Sequence, residues 1–174
     1  MKTTELEKTY LLKRLPKGLE RCRKERMVDI YVPNTARHPV IRIRRIGNSF
    51  EITKKSPVQD GDSSIQDEHT IYLTKEEHDA LSRISGKRID KTRYHFMHNG
   101  ITGQIDIFHG RLRGLALADF EFDSKMEMKA FRPPDFCLAE VTQEEFIAGG
   151  MLCGKSYESI RKHLKGFGYR KITV

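Results

Sequence analysis

The sequence predicts an α+β fold built on an antiparallel β-sheet of about eight strands. Successive segments alternate apolar and charged residues, which is typical of strands with two different faces. Hairpin-type turns separate several of these segments, and only four short stretches have helical spacing. Eight strands are enough for a sheet to close into a barrel, and helices could then cover its apolar outside.

The length of 174 residues suits one domain, and we predict that residues 1–174 form one. The chain contains 32 lysines and arginines against 24 aspartates and glutamates, a formal net charge of +8. Charges interrupt every apolar run before the roughly 20 residues of a membrane-spanning helix, and the charged N-terminus differs from a secretory signal. Cys22, Cys137 and Cys153 match no disulfide or zinc pattern. We therefore expect a cytoplasmic protein with reduced thiols that does not enter a membrane.

The predicted strands are residues 5–13, 28–32, 41–46, 50–55, 65–73, 88–97, 101–108 and 115–122. The third and fourth strands flank a Gly-Asn-Ser turn signal at residues 47–49. The sixth and seventh flank Asn99-Gly100, a pair that accepts the positive φ of a tight hairpin turn. These two hairpins favour an antiparallel arrangement.

The predicted helices are residues 74–84, 124–129, 143–148 and 156–166. Thr74 followed by Glu77 is the signature of a capping box, and Ser156 with Ser159 is a weaker helix start. The irregular segments between the predicted elements are too short to be domain linkers.

Strand after strand, the polar face carries charges of both signs. The polar-face residues are Glu5, Glu7, Thr9, Arg42, Arg44, Glu51, Thr53, Lys55, Glu68, Thr70, Lys91, Arg93, His95, Gln104, Asp106, Asp119 and Glu121. An ordinary sheet with one face in water would also alternate. Arginines and carboxylates at two-residue spacing instead favour a barrel whose charged faces line the interior, where charges need partners or counter-ions. A metal-bound polyphosphate would provide both.

Several short motifs resemble, in order along the chain, the CYTH family, also called the triphosphate tunnel metalloenzymes. The motifs are Glu5-Leu6-Glu7, Arg42-Ile43-Arg44, Thr53-Lys54-Lys55, Lys91-Thr92-Arg93-Tyr94, Asp106-Ile107-Phe108, Gly114-Leu115, Asp119-Phe120-Glu121-Phe122 and Glu140-Val141-Thr142. The resemblance extends to about Thr142 and implies a closed eight-stranded antiparallel β-tunnel with helices packed on the outside. Family members include inorganic tripolyphosphatases, thiamine triphosphatases and class IV adenylate cyclases, which act on triphosphates with a divalent metal.

The chain departs from the family pattern at the N-terminal ExExK hallmark. Glu5 and Glu7 match its glutamates, but Thr9 stands in the lysine position. Lys8 is adjacent but belongs to the opposite strand face. Because the family lysine contributes to catalysis or substrate contact, Thr9 bears on turnover more than on folding or binding. The last carboxylate pair, usually ExE, reads Asp119-x-Glu121 here.

The resemblance also implies roles for two sets of residues. The implied ligands of Mg²⁺ or Mn²⁺ are Glu5, Glu7, Glu68, Asp106, Asp119 and Glu121. The implied phosphate clamp is Arg42, Arg44, Lys55, Lys91 and Arg93. The residues implied in catalysis are Glu5, Glu7, Arg42, Arg44, Lys91 and Arg93. The implied mechanism is in-line attack on phosphorus by a water that the metal or a carboxylate orients.

We therefore expect metal-dependent hydrolysis of inorganic tripolyphosphate, or of a related short polyphosphate or organic triphosphate. Two alternatives stay open: a class IV-type adenylate cyclase that makes cyclic AMP from ATP, and a non-catalytic triphosphate- or polyphosphate-binding protein, because of Thr9. A basic nucleic-acid-binding domain is disfavoured, since carboxylates on the arginine-bearing faces would repel backbone phosphates. A homodimer is compatible with the sequence.

Overall fold

Nine strands form one antiparallel sheet in residues 1–59 and 61–173, the residues that the computed structural model describes. They are β1 (Lys2–Leu12), β2 (Lys24–Val32), β3 (Ile41–Ile46), β4 (Ser49–Pro57), β5 (Ile65–Leu73), β6 (Lys87–His98), β7 (Ile101–Phe108), β8 (Ala116–Phe122) and β9 (Cys137–Glu140). The order is β5-β4-β3-β2-β6-β7-β8-β1-β9, and β5 also pairs with β1. This last pairing closes β1 to β8 into a barrel, so the predicted closed eight-stranded sheet is confirmed.

β1 is long enough to serve both the closure and an added strand. Its first residues, Lys2 to Leu6, pair with β5, while Tyr10 to Leu12 pair with β9. The sequence analysis did not predict β9, because four residues are too few for an alternating pattern to be recognised. The ninth strand therefore extends the sheet beside the barrel without changing its closure.

The helices lie outside the barrel wall and are α1 (Lys75–Leu81), α2 (Lys125–Ala130), α3 (Gly149–Leu152) and α4 (Tyr157–Gly166). The predicted capping box at Thr74 and the predicted helix start at Ser156 are both confirmed, since the Thr74 and Ser156 hydroxyls accept hydrogen bonds from the backbone N–H groups of Glu77 and Ser159.

The predicted helix at 143–148 is wrong. Only Glu145–Ile147 form a turn of 3₁₀-helix, and α3 begins afterwards at Gly149. The Gln143 side chain hydrogen-bonds to Asp62 and Ser63 in another loop, while Ile147 is buried in the core. These anchors hold the segment along the end of the barrel, so it does not form a continuous helix.

One apolar core covers part of the outer face of the barrel. Phe120 is fully buried there, and its ring packs against Tyr10 of β1 and Phe131, which follows α2. Ile105 from β7 and Phe136 complete the same cluster. This cluster explains why Leu6, Tyr10 and Leu12 of β1 and the even-numbered positions of β8 are apolar.

A second core closes one end of the barrel interior. Its inward-facing members, which we call the floor, are Leu11, Tyr31, Ile89, Phe108 and Leu117. They share the strand face of the charged residues and pack against the α3 and α4 residues Leu152, Ile160 and Leu164. The C-terminal segment therefore covers the floor from outside.

The opposite end of the barrel, which we call the mouth, is polar. Glu25 and His95 lie there on inward faces, with 3.1 Å between His95 Nε2 and Glu25 Oε2. Their side chains are 27% and 32% exposed, against 1% for Asp29 further along β2. The hairpin between β6 and β7, with positive φ at Asn99 and Gly100 as predicted, lies at this end.

No helix among the described residues combines the length and the apolar character needed to cross a membrane. Cys22, Cys137 and Cys153 are free thiols, as expected.

Candidate functional site

The alternation along the strands brings the predicted site residues to the barrel interior. Across β1 and β8, Glu7 pairs with Glu121 and Thr9 pairs with Asp119. The side chains that face inward are largely shielded from water: Arg44 is 8% exposed and Asp106 is 2% exposed. These burials exclude an ordinary sheet whose charged face lies in water.

Asp106 holds two of the predicted clamp residues. Its Oδ1 accepts a hydrogen bond from Arg93 Nε at 2.7 Å, and its Oδ2 accepts one from Arg93 Nη2 at 2.7 Å. Lys91 Nζ donates to the same Oδ2. Burial alone would raise the pKa of Asp106, but the charges of Arg93 and Lys91 outweigh it and hold this pKa well below its usual range. Both carboxylate oxygens are therefore taken by cations of the chain.

Asp29 forms the corresponding pair with Arg44. Arg44 Nε donates to Oδ1 at 2.6 Å and Nη2 donates to Oδ2 at 2.8 Å, the bidentate geometry that guanidinium and carboxylate favour. The Asp29 pKa lies well below its usual range, because Arg44, with smaller contributions from Arg42 and Lys91, outweighs the effect of burial. Glu51 Oε1 lies 3.8 Å from Arg44 Nη1 on the other side.

Arg42 is held by β4 and β5. Its Nε donates to the Thr53 hydroxyl, and its Nη2 donates to Glu68 Oε2 at 2.8 Å. The Arg42 and Glu68 side chains are 13% and 14% exposed. Tyr31 of the floor lies directly opposite Arg42 in the pairing of β2 with β3, so Arg42 lies where the charged part of the interior meets the floor.

Lys55 reaches a different group of carboxylates. Its Nζ lies 3.2 Å from Glu7 Oε2 and 3.9 Å from Glu68 Oε2. It also forms an ion pair with Glu5 Oε2. Burial would lower the pKa of Lys55, but Glu7 and Glu5 outweigh it and raise the pKa above its ordinary value. The Lys55 ammonium thus forms ion pairs with both Glu5 and Glu7 in this structure.

Among the described residues, Asp119 and Glu121 accept no hydrogen bond from a lysine or an arginine, and Arg93 Nη2 lies 3.6 Å from Asp119 Oδ2. Thr9 Oγ1 donates to Asp119 Oδ1 at 2.7 Å, and Gln104 Nε2 donates to Glu121 Oε1. Burial raises the pKa of Asp119 to about 6, with Asp106 and Glu7 adding to the effect. Burial followed by the charge of Glu5 also raises the pKa of Glu121. Negative charge therefore accumulates between β1 and β8.

Between the floor and the mouth, the charged interior has an excess of carboxylates. Five cations, Arg42, Arg44, Lys55, Lys91 and Arg93, face eight carboxylates, Glu5, Glu7, Asp29, Glu51, Glu68, Asp106, Asp119 and Glu121. Fully ionised, this set, which we call the lumen set, carries a net charge of −3. The rest of the chain must then carry +11 to reach the total of +8.

The residues between β1 and β8 fit a divalent cation. Like charges directly opposite each other on paired strands are destabilising, and Glu7 lies opposite Glu121. All of the donors are carboxylate oxygens, the ligands that Mg²⁺ and Mn²⁺ favour. Across residues 1–59 and 61–173 no three acidic, histidine or cysteine side chains converge in ligand geometry. At Glu5 and Glu7, the Lys55 ammonium contacts both carboxylates.

The structure brings all eleven predicted site residues to the interior. It adds Asp29 and Tyr31, which the sequence analysis did not name, and Glu51, Thr53 and Gln104, which it placed on the polar strand faces without a role in the site. Asp29, Glu51, Thr53, Tyr31 and Gln104 all contact them or lie beside them. A signal existed for Asp29, because a lone aspartate in the apolar strand Val28-Asp29-Ile30-Tyr31-Val32 needs a buried partner. Its partner depends on strand register, which sequence patterns do not give.

No model of a protein family matches the chain. An inorganic triphosphatase from Nitrosomonas europaea is 30% identical over 144 residues, which cover 82% of this chain and 91% of that protein. The chain belongs to the CYTH family of triphosphate tunnel metalloenzymes.

One further relative and two solved structures are also similar to this chain. An inorganic triphosphatase from Acetivibrio thermocellus is 28% identical over 123 residues, or 70% of this chain and 76% of that protein. The crystal structure of the inorganic triphosphatase NE1496 superposes with a TM-score of 0.64 at 27% identity, over 87% of this chain and 95% of that chain. A candidate adenylate cyclase from Bacillus halodurans, 13% identical with a TM-score of 0.56 over 99% of this chain and 94% of that chain, shares the fold.

Proposed function

We propose that this CYTH protein hydrolyses inorganic tripolyphosphate, or a related short polyphosphate or organic triphosphate, inside its barrel with Mg²⁺ or Mn²⁺. One observation supports this most: clamp cations from β3, β4 and β6 face a carboxylate cluster from β1 and β8 within one shielded interior. The relatives named inorganic triphosphatase support the reaction and the substrate class.

The clamp residues would bind and orient the phosphate chain. Arg42, Arg44 and Arg93 are each held by a carboxylate, so their positions are fixed before substrate arrives. Preorganised cations stabilise the charge that develops on phosphoryl oxygens in the transition state, and they do so without reorganisation at the moment of reaction. Asp29, Glu68 and Asp106 are therefore positioning residues for the clamp in this proposal.

Glu5, Glu7 and Glu121 would hold the metal ion, with Asp119 beside them. When bound, the ion would neutralise phosphate charge and lower the pKa of an attacking water. Asp106 is less suited to this role than the sequence analysis proposed, because both of its oxygens already accept from Arg93 and Lys91. Glu68 is similarly engaged by Arg42.

The charge of the lumen set gives an independent reason for the metal requirement. A set with a net charge of −3 repels a polyanion until cations enter with it. A divalent ion removes most of this excess, and the clamp cations can then contact phosphate. This supports metal-dependent binding as well as metal-dependent hydrolysis.

The binding-only alternative rests on Thr9, which replaces the family lysine and hydrogen-bonds to Asp119. In that case the protein would bind tripolyphosphate with the metal but would not release orthophosphate.

The test is a panel of tripolyphosphate, ATP and thiamine triphosphate with Mg²⁺ and with Mn²⁺, in which orthophosphate and cyclic AMP are both measured. We expect orthophosphate release from tripolyphosphate, and loss of at least about a hundredfold in Glu7→Gln, because that variant loses a metal ligand charge. Glu76→Gln, on the exposed side of α1, is the matched control. Cyclic AMP as the product would identify a cyclase, and binding without product would identify a binding protein.

A cytoplasmic location and a homodimer stay predictions from the sequence. The homodimer is tested by light scattering of the purified protein.

A further inference from the structure

The Lys55 ammonium lies where a metal ion would be expected to bind. It forms an ion pair with Glu5 Oε2, lies 3.2 Å from Glu7 Oε2 and reaches Glu68 Oε2 at 3.9 Å. The Lys55 and Glu7 side chains are only 23% and 18% exposed, so solvent screens this contact less than a surface pair. The Lys55 ammonium therefore lies within ion-pair distance of three carboxylates, two from β1 and one from β5.

Lys55 cannot keep these contacts and also bind a phosphate chain. Its ammonium hydrogen-bonds to Glu7 and forms an ion pair with Glu5 in this structure, whereas a phosphate-clamp lysine must direct its N–H donors to phosphate oxygens. A metal ion at Glu5 and Glu7 would compete for the same oxygens and repel the ammonium. The two cations thus exclude each other from these carboxylates.

We propose that Lys55 is an internal counter-ion, which binds Glu5 and Glu7 in the unloaded barrel and is released to contact substrate phosphate when the metal binds. This proposal rests on the proposed metal-dependent function and specifies how metal and substrate binding are coupled. The same side chain first opposes metal binding and then favours substrate binding. Since Thr9 provides no ammonium on β1, Lys55 is the cation through which this end of the barrel couples the two events.

The proposal predicts opposite effects on two equilibria when Lys55 is replaced. Metal affinity without substrate should rise, because the competing ammonium is gone. Substrate affinity with metal present should fall, because a phosphate contact is lost. If Lys55 only contacted phosphate, its replacement would leave the metal affinity unchanged. If Lys55 only held the carboxylates in place for the metal, its replacement would weaken metal binding.

The experiment uses the whole chain as Lys55→Met, with Lys54→Met as the matched control, because Lys54 is adjacent on β4 but faces outward and is exposed. Mn²⁺ is titrated calorimetrically without phosphate. We expect Lys55→Met to bind Mn²⁺ about tenfold more tightly than the natural protein, as expected for loss of a charge-assisted contact that competes with the ion. The Mn²⁺ affinity of Lys54→Met should stay within about twofold of that of the natural protein, since the Lys54 charge is remote from Glu5 and Glu7 and is screened by solvent.

The second titration uses the imido analogue of tripolyphosphate at saturating Mn²⁺, and here we expect about tenfold weaker binding by Lys55→Met from loss of a charge-assisted contact. Lys55→Gln is measured in parallel, since its amide can still donate to the carboxylates if Lys55→Met does not fold. Unchanged or weaker Mn²⁺ binding by the folded Lys55 variants would overturn the proposal. Failure of the natural protein to release orthophosphate would instead contradict the proposed hydrolysis, and the Mn²⁺ titration would still report on Lys55.

Discussion

Thr9 is the clearest departure of this chain from its family, and its contacts show how the barrel accommodates it. Its hydroxyl donates to Asp119 Oδ1 at 2.7 Å, and its backbone N–H donates to the Thr142 hydroxyl at 3.1 Å. The hydroxyl donates to a partly buried carboxylate but adds no positive charge. Negative charge therefore accumulates between β1 and β8, where the pKa of Asp119 is raised to about 6 by burial first and by Asp106 and Glu7 next.

Thr9→Lys should raise the turnover of tripolyphosphate. The new ammonium would lie beside Asp119 and could stabilise charge on the phosphoryl oxygens, for which a single added donor supplies up to about a hundredfold. Orthophosphate release at saturating Mn²⁺ measures the effect, and Thr9→Met serves as the control for side-chain length. Equal turnover in Thr9→Lys and the natural protein would indicate that the existing clamp already provides this charge.

Asp29→Asn should be strongly destabilising. Asp29 is 1% exposed and bonds Arg44 in a bidentate pair, so removing its charge leaves a buried guanidinium without its counter-ion. The expected loss in the free energy of unfolding is about 3–5 kcal/mol, measured by urea denaturation. Asp79→Asn, in an exposed pair on α1, should change little. A small loss in Asp29→Asn would mean that Glu51 compensates for Arg44.

The same pair predicts how stability depends on pH. Because Arg44 outweighs burial and holds the Asp29 pKa below that of the unfolded chain, the folded state binds fewer protons in acid. Stability from this group is present above about pH 4 and falls as the pH drops further. Asp106 behaves in the same way, so its contribution adds. Urea unfolding between about pH 3 and pH 7 measures this dependence. The free energy of unfolding should fall less steeply towards acid pH in Asp29→Asn than in the natural protein. An equal fall in both proteins would contradict the lowered pKa of Asp29.

Among the elements, α4 matters most to the site because it covers the floor from outside. Its apolar residues Ile160 and Leu164 pack in the same cluster as Ile89 and Leu117 of the barrel interior. The helix is ten residues long, which is short for independent stability, so its position depends on this packing and on its cap.

Ser156→Ala tests the contribution of the α4 cap. The Ser156 hydroxyl accepts from Ser159 N, and the Ser159 hydroxyl accepts from Ser156 N. Removing the first contact should cost about 1 kcal/mol in the free energy of unfolding. Ser156→Asp keeps an acceptor at the N-cap and should restore most of the loss. If both variants lose the same amount, the cap does not limit the stability of this segment.

Alternation predicted which residues share the charged strand faces, because side chains at every second position of a strand lie on one face, and the resemblance to the CYTH family implied their roles. It placed Arg42, Arg44, Lys91 and Arg93 on inward faces without knowledge of pairing. What it could not give was register, since Asp29 meets Arg44 only through the pairing of β2 with β3. Contacts between distant strands depend on tertiary packing, and such contacts leave no periodic signal.

Local signals also failed where segments were short or were held by distant groups. The four-residue β9 carries too little pattern, and residues 143–148 follow contacts to the 62–63 loop instead of their helical spacing. By contrast, the hairpin turn at Asn99-Gly100 was predicted correctly because its positive φ is a purely local requirement.

At the scale of the whole molecule, charge is separated between the inside and the outside of the barrel. The lumen set carries −3, while the remaining residues carry +11. The positive exterior attracts a condensed phosphate towards the protein, and cations that enter with it neutralise the interior.

The closed floor predicts a requirement for a free chain end. We expect a phosphate chain to enter at the mouth, because Leu11, Phe108 and Leu117 are buried in the apolar core at the other end of the interior. Tripolyphosphate should therefore be cleaved, whereas cyclic trimetaphosphate, which has no terminal phosphate, should resist. Chromatography of the products measures both reactions. Rapid cleavage of the ring would show that a terminal group is not needed for entry.

The floor also determines the order in which the products leave. With α3 and α4 packed behind it, the fragment at the bottom of the pocket has no separate exit and must wait until the fragment above it has diffused away. Cleavage near the bottom would then free pyrophosphate before orthophosphate. Added pyrophosphate, by refilling the upper position, would trap the enzyme with its last product still inside.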